Sequence, residues 1–482
     1  MEAGLPADLP RLTRDGAAPA QGIVHLGLGA FFRAHGAVYL QELMEAEGGD
    51  WGITGVSLQS PGTRDRLAAQ DGVYTALELG PKGRIARPIV SVREVLVAPE
   101  DPEAVLARMA DPATKVVTLT VTEKGYCHNP ATGALNLAHP DIQHDTVSPA
   151  PKSAPGFLVR ALERRKRAGL APFTVLTCDN LPENGRLVRG VVLELARAID
   201  PGLADWIAAE GRFPATMVDR IVPATRPEDI TGLADETGLD DQAPVMHEPF
   251  RQWVVEDDFV SGTRPMLENV GVQMVGDVTP FEHMKLRMLN GTHSSLAYLG
   301  YLAGHETIAD TVADPVFAAF VKRLWAQEII PAVPTPPGED LERYAAALFE
   351  RYANPAIRHR TWQIAMDGSQ KLPQRILSTL SENRAAGRSS PGLILAVAAW
   401  MRYVGGIDET GAPIEVKDPL AARLRELSDS AVDPAGKVDA LLGLSDVFAP
   451  GLASALRNDI AAAYAALVEK GARGAANSVV TG

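Results

Sequence analysis

Two hydrophobic patterns divide the chain near residue 279. Before it, short apolar runs at residues 23–26, 53–58, 73–79, 89–97, 116–121, 173–178, 216–222 and 272–278 read as strands, with helical periods between them. Buried strands alternating with helices predict an α/β domain built on a parallel sheet. From residue 280 onward the apolar positions recur almost wholly at helical spacing. The expected architecture is a Rossmann-like N-terminal domain over residues 1–278 and a mostly α-helical C-terminal domain over residues 279–482.

Punctuation sharpens the first half. The run at 23–26 opens into GLGAFFRAH at 27–35, and a helical pattern continues to residue 46. Strand, glycine turn and helix in that order begin a dinucleotide-binding unit. Gly27 permits the tight turn and Gly29 lets a pyrophosphate approach the backbone. The third glycine of the usual fingerprint is replaced by Phe32, so the match is partial. Arg33 lies near the helix start, where free N–H groups and the helix dipole hold phosphate; a surface salt bridge is its plainer reading. The expected cofactor-binding set is Gly27, Gly29, Ala30, Phe31 and Arg33, with Thr122 and Asp219 at later strand tips. A carboxylate near the end of the second strand commonly grips the ribose hydroxyls of NAD. Here Gln59, Ser60, Pro61, Gly62 and Thr63 intervene before Asp65, so the choice of NAD over NADP is weakly specified.

Other signals are local. Asp101-Pro102 marks a helix start. The tip TEKG at 122–125 and Asp179-Asn180 lie at the carboxyl ends of strands, where ligands of such sheets gather. Lys124 is otherwise a solvated loop lysine, and Asn180 otherwise an Asx-turn residue. Asp219-Arg220 reads equally as an ion pair or as part of a site. The basic run at 164–167 reads as a solvated helix face.

The second half is organised by TPFEHMKLRMLNGTHSS at 279–295. Met284, Leu286, Met288, Leu289 and Leu296 surround it with apolar positions, which predicts a buried α-helix. At about 100° per residue, Asn290 lies ~140° and His293 ~80° from Lys285, so the three share one broad face. A buried ammonium without a partner is costly. A lysine snorkelling to the surface is the bland alternative. Further on, Arg358, His359, Arg360, Asp367, Ser369 and Lys371 cluster in RHRTWQIAMDGSQKLPQR, where two positive residues flanking a buried-looking Trp362 either line a pocket or cover a helix end. There is no HExxH and no Cys/His set with metal-ligand spacing, so a mechanism without metal is expected.

Composition narrows the class. A net charge of −14 argues against nucleic acid or an anionic membrane as partner. Cys127 and Cys178 are too few for a disulfide framework and are expected to be reduced in the cytoplasm. The N-terminal MEAGLPADLP is acidic and proline-interrupted, unlike a signal peptide. The apolar run at 392–401 is too short to span a bilayer.

GLGAFFRAH, TVTEKGYC, CDNLPENG, FPATMVDRIVP, EPFRQWVVED and the Lys285–Asn290–His293 element, in this order, resemble the polyol-specific long-chain dehydrogenase/reductase family, which includes mannitol 2-dehydrogenases and fructuronate reductases. The resemblance runs from about residue 20 to near the C-terminus. It implies NAD as cofactor and a zinc-independent hydride transfer. It places the catalytic lysine at Lys285, oxyanion-stabilising asparagines at Asn180 and Asn290, the substrate-orienting histidine at His293, the neighbouring acid at Glu282 and a substrate-contacting lysine at Lys371. Burial lowers a lysine's pKa, so Lys285 can serve as a neutral base. Lys124 and Arg251 stand where the mannitol-oxidising branch is typically uncharged, and Gln363 where that branch tends to carry arginine. This favours a sugar acid, with Arg251 as its carboxylate partner, although either cation can instead bridge to Glu123 or Glu248. The expected activity is interconversion of D-fructuronate and D-mannonate by a monomer. Oxidation of mannitol or arabinitol is the alternative, and a non-catalytic NAD-binding protein a third.

Overall fold

The computed structural model describes residues 8–130 and 132–482, and the chain forms two compact units that divide between Thr279 and Pro280. In the first unit the strands are β1 (Gln21–Leu26), β2 (Gly52–Ser57), β3 (Tyr74–Gly80), β4 (Gly83–Ile89), β5 (Val92–Val97), β6 (Val116–Leu119), β7 (Thr174–Thr177), β8 (Thr216–Asp219), β9 (Val245–His247), β10 (Gln252–Glu256) and β11 (Gln273–Val275). Five of them make a parallel sheet in the order β5-β2-β1-β6-β7. Every residue of β1, β6 and β7 is buried, as expected of strands covered on both faces. Alternation along them feeds two cores: Val24, Leu26, Val117 and Leu119 pack on one side, Ile23 and Val116 on the other. The strand order reverses between β1 and β6, and that crevice is where doubly wound sheets take ligands.

The apolar run at 89–97 is not one strand. Ile89 closes β4, Val92 opens β5, and the two belong to different sheets. β4 pairs antiparallel with β3 and is the edge of a three-stranded sheet ordered β4-β3-β9. Its residues are mostly exposed and include Pro88, which an edge tolerates, so it carries little hydrophobic signal. Strands β11, β10 and β8 form a third sheet. Asp101 caps the helix Pro102–Ala110 by accepting the Ala104 N–H at 2.9 Å. The basic run ending the helix Ala154–Arg167 is not wholly a solvated face. Arg164 pairs with Glu103, but Arg165 is buried and donates to the carbonyls of Ala171, Asp111 and Thr114.

The second unit contains helices and no sheet strand among its described residues. The buried segment around Lys285 differs from a plain α-helix. It runs as α-helix over Thr279–Met284, π-helix over Lys285–Gly291, and α-helix again over Thr292–Leu302. Two further π-helical segments, Leu324–Ile329 and Pro373–Leu377, both pack against it. The widened turn is braced by side chains. The Met288 carbonyl accepts the Trp325 indole N–H at 2.9 Å and the Thr292 hydroxyl at 2.6 Å. The Leu289 carbonyl accepts the Tyr352 hydroxyl at 2.8 Å. Arg287 donates to the Ala332 carbonyl and to both oxygens of Glu382. A methyl at Gly291 would sit 2.7 Å from the Arg375 carbonyl oxygen, so only glycine allows this approach to the third π segment. No helix among the described residues is long and apolar enough to cross a membrane.

Candidate active site

In the first unit the turn after β1 adopts φ +89° at Gly27, and a methyl there would lie 2.2 Å from the Thr120 carbonyl oxygen. A methyl at Gly29 would meet nothing nearer than 3.8 Å, so the space over its backbone is open. Gly29 caps the short helix α1 (Ala30–Ala34) and offers no side-chain acceptor to its first N–H groups, those of Ala30 and Phe31. An open backbone cradle at the sheet's switch point fits the pyrophosphate of a dinucleotide. Phe32, where the third glycine was expected, stacks on His25, and the glycine is found four residues on: a methyl at Gly36 would strike the Phe32 ring at 2.5 Å. His25, held near pKa 3 by burial, bonds Thr118 and Thr120 as a neutral brace.

Arg33 is corrected. Its side chain is buried, donates to the Ala243 carbonyl at 2.6 Å and lies over the Tyr74 ring, so packing has taken it into the core instead of to a phosphate. The tip of β6 is held by a residue to which the sequence assigned no role. Asp179 accepts the N–H groups of Val121 at 2.8 Å and Thr122 at 3.0 Å and the Tyr126 hydroxyl at 2.7 Å. Thr122, at φ +64°, begins the turn that carries exposed Lys124. Asn184 is buried, donating to the carbonyls of Asp179 and Thr216 and accepting the Thr216 N–H. Asn180 is therefore an exposed amide on a strand tip anchored on both sides.

Asp219 is buried at the end of β8. Its neighbour Arg220 donates to the carbonyls of Ala34 and Glu248, and burial followed by the charge of Arg251 lowers its pKa to about 10. Arg251 pairs with Glu42 at 2.5 Å and stacks 4.1 Å from the Tyr39 ring centre, and Glu42 also binds Arg87. The bridging alternative for Arg251 is thus the one realised, with Glu42 in place of Glu248, whose carboxylate accepts the Ile221 N–H.

In the helical unit, Lys285 and Asn290 are the i and i+5 positions of one π turn, and hydrogen bonding at that spacing brings them into register where an α-helix would splay them. Lys285 and His293 are both buried, and Glu282 is half-buried one turn before the lysine. His293 stacks on Tyr352 with ring centres 5.1 Å apart and meets His359 edge-on at 4.6 Å. Burial first, then the charges of His359, Arg375, Arg351 and Lys371, holds His293 well below the ordinary imidazole range, so it acts as a neutral group. His359 lies near pKa 4 for the same leading reason, and its Nδ1 has no hydrogen-bond partner. Lys371 donates to the carbonyls of Met366 at 2.6 Å and Ile364 at 3.4 Å, and burial with the nearby Arg375 lowers its pKa to about 8. Arg360 is half exposed and paired with Glu306, and Gln363 is exposed. His359 stood in the polar cluster singled out in the sequence without a role of its own, and Arg375 was given none. Among the described residues no group of three or more His, Cys, Asp or Glu is placed to hold a metal ion.

A dinucleotide-type sheet followed by a helical unit with a buried lysine defines a nucleotide-dependent dehydrogenase. The family description "Mannitol dehydrogenase Rossmann domain" matches residues 21–269, and "Mannitol dehydrogenase C-terminal domain" matches residues 277–468. The chain belongs to the mannitol dehydrogenase family. It is 50% identical to the D-mannonate oxidoreductase of Escherichia coli over 458 residues, 94% of each chain. It is 45% identical to a mannitol 2-dehydrogenase of Aspergillus fumigatus over 422 residues, 85% of this chain and 83% of that one. The solved Pseudomonas fluorescens mannitol 2-dehydrogenase, a ternary complex with NAD and D-mannitol, is similar with TM-score 0.84 and 38% identity, covering 98% and 97% of the two chains.

Proposed function

We propose that this dehydrogenase interconverts D-fructuronate and D-mannonate with NAD(H), using Lys285 as acid and base. The observation that carries the substrate is the 50% identity, over 94% of both chains, to a D-mannonate oxidoreductase. Mannitol 2-dehydrogenases at 45% and 43% identity make a neutral polyol the second reading. NAD as the cofactor is supported by the open cradle over Gly29 and by the NAD complex of the Pseudomonas relative.

When bound, the nicotinamide supplies or accepts the hydride. The chain's own residues handle the proton and the charge. In reduction the Lys285 ammonium gives a proton to the ketone oxygen, and in oxidation the neutral amine takes the hydroxyl proton. The amide of Asn290 donates to the developing oxyanion without titrating, a role the family resemblance also assigns to Asn180, and one such donor is worth about 10²–10³ in rate. Neutral His293, fixed between Tyr352 and His359, orients a substrate hydroxyl. Lysine replaces a metal as the electrophile in this scheme. The test is an NADH- and NADPH-linked assay against fructuronate, tagaturonate, fructose, mannonate, mannitol and arabinitol. Turnover of fructuronate and mannonate above the neutral pairs is expected; mannitol oxidation with mannonate ignored would overturn the assignment.

A further inference from the structure

A sugar acid brings one group that a polyol lacks, a carboxylate, and its recognition requires a cation not already spent on a protein carboxylate. Arg251 does not qualify, because Glu42 holds it. Arg360 is paired with Glu306, and Arg287 with Glu382. Arg375 differs from all three. It lies on the π-helical segment Pro373–Leu377, one turn beyond Lys371, against the segment that carries Lys285 and Asn290. Its side-chain hydrogen bond is to the Ser294 hydroxyl, at 3.2 Å, next to His293 in sequence. No carboxylate among the described residues lies within ion-pairing distance of it; burial lowers its pKa, and Tyr298 and Tyr352 lie close enough to offset part of that cost. Lys371 also has no ion pair and gives its protons to two backbone carbonyls.

Asp367 and Asp418 act on Lys371 from beyond ion-pairing distance, and Arg375 has no carboxylate partner among the described residues. Two neighbouring half-buried cations are therefore only partly neutralised in the free protein, which is costly because burying a charge is tolerable only when it is paired. The arrangement becomes favourable when an anion enters. A guanidinium suits a carboxylate better than an ammonium does, because its planar fork can meet both oxygens. Resting on the sugar-acid reading above, we propose that Arg375 is the carboxylate anchor of the substrate, with Lys371 as the adjoining cation. The Ser294 hydroxyl holds the guanidinium in place, and His293 on the same helical turn meets a hydroxyl of the same substrate. The carboxylate is bound without any covalent change.

The test compares wild type with Arg375→Gln, Arg375→Lys and Arg251→Gln on fructuronate and on neutral fructose, with circular dichroism melts as a folding control. R375Q is expected to raise KM for fructuronate at least tenfold while KM for fructose moves less than twofold. R375K should fall between, because it keeps the charge and loses the fork; if R375Q does not fold, R375K carries the test through a selective loss for fructuronate. R251Q should show no selectivity by charge. Equal losses on both substrates in R375Q or R375K, or a charge-selective loss in R251Q, would overturn the anchor while wild-type fructuronate turnover leaves the proposed reaction standing. A wild-type enzyme that ignores both sugar acids would instead overturn the reaction itself, and the anchor with it.

Discussion

The proposed chemistry gives two lysines, Lys285 and Lys371, separate tasks. Lys285 sits in the π turn with Asn290, so its removal deletes the proposed proton donor and leaves the glycine cradle of the other unit unaltered in sequence. Lys285→Ala is expected to lower kcat by several orders of magnitude, with NADH affinity, read by fluorescence titration, nearly unchanged; activity abolished by EDTA and restored by Zn²⁺ would count against the lysine. Lys371 is the cation whose charge varies. Its pKa of about 8 lies below the ordinary 10.5, so between these values the unfolded chain binds the extra proton. Its burial therefore costs stability in full below about pH 8, and the cost is relieved as pH rises towards 10.5. Binding of a sugar acid should run the other way, weakening as pH climbs through about 8, while a neutral ketose is unaffected. Calorimetric titration of mannonate from pH 6.5 to 9.5 checks this, and Lys371→Gln should flatten the profile. Lys285, Asn290 and His293 could be singled out in the sequence because polar residues stood out against an apolar helix, and the structure buries Lys285 and His293. Arg375 could not, because a charge in LPQR looks solvated until tertiary packing buries it. Arg33 misled for the converse reason: its place beside the glycine turn suggested phosphate, and its side chain turned into the core.

The π segment is the element that reconciles a buried helix with a polar site. An extra residue in the turn frees carbonyls from the regular ladder, and such carbonyls must find other partners. Trp325, Thr292 and Tyr352 provide them. Gly291→Ala should be the more damaging change, because a methyl 2.7 Å from the Arg375 carbonyl forces the first and third π segments apart. A loss of about 1–3 kcal/mol, the usual cost of overpacking, is expected in urea unfolding, together with reduced kcat. Trp325→Phe removes one hydrogen bond and should cost less, about 0.5–1.5 kcal/mol. A Gly291→Ala protein as stable and active as wild type would show that the close packing is dispensable. Apolar periodicity announced a buried helix here but is blind to one inserted residue, since both helix types bury this sequence all round. Strand β4 escaped for a different reason. It is an exposed edge with little apolar content, and Pro88 and the adjoining β5 blurred its end. The fully buried parallel strands β1, β6 and β7 were plain as short continuous apolar runs.

At the scale of the whole molecule, each unit has its own apolar core and its own share of the chemistry. Nucleotide binding can therefore be followed apart from turnover. In the proposed reading the glycine cradle at the sheet's switch point takes the dinucleotide, and in such sheets the choice between NAD and NADP falls to the end of the second strand, here β2. No acid follows β2 directly, but the next helix, Gly62–Ala68, brings two carboxylates together through one arginine. Arg64 binds Asp65 at 2.6 Å and Glu100 at 2.7 Å. The Arg64–Asp65–Glu100 cluster keeps one net negative charge and commits Arg64, while exposed Arg66 on the same helix has no ion pair among the described residues, so a 2′-phosphate there would meet only modest net repulsion. NAD(H) is accordingly expected over NADP(H). A ligand present at about 100 times its Kd stabilises the native state by about 2.7 kcal/mol, enough to move a melting transition by several degrees. NADH should give that shift in wild type and equally in Lys285→Ala, and NADPH at the same concentration should give clearly less. Replacing both Asp65 and Glu100 by the amides should free Arg64 and narrow the gap. A larger shift with NADPH than with NADH in the wild-type protein would reverse the cofactor assignment, and would point to Arg64 or the exposed Arg66 as the partner of the phosphate.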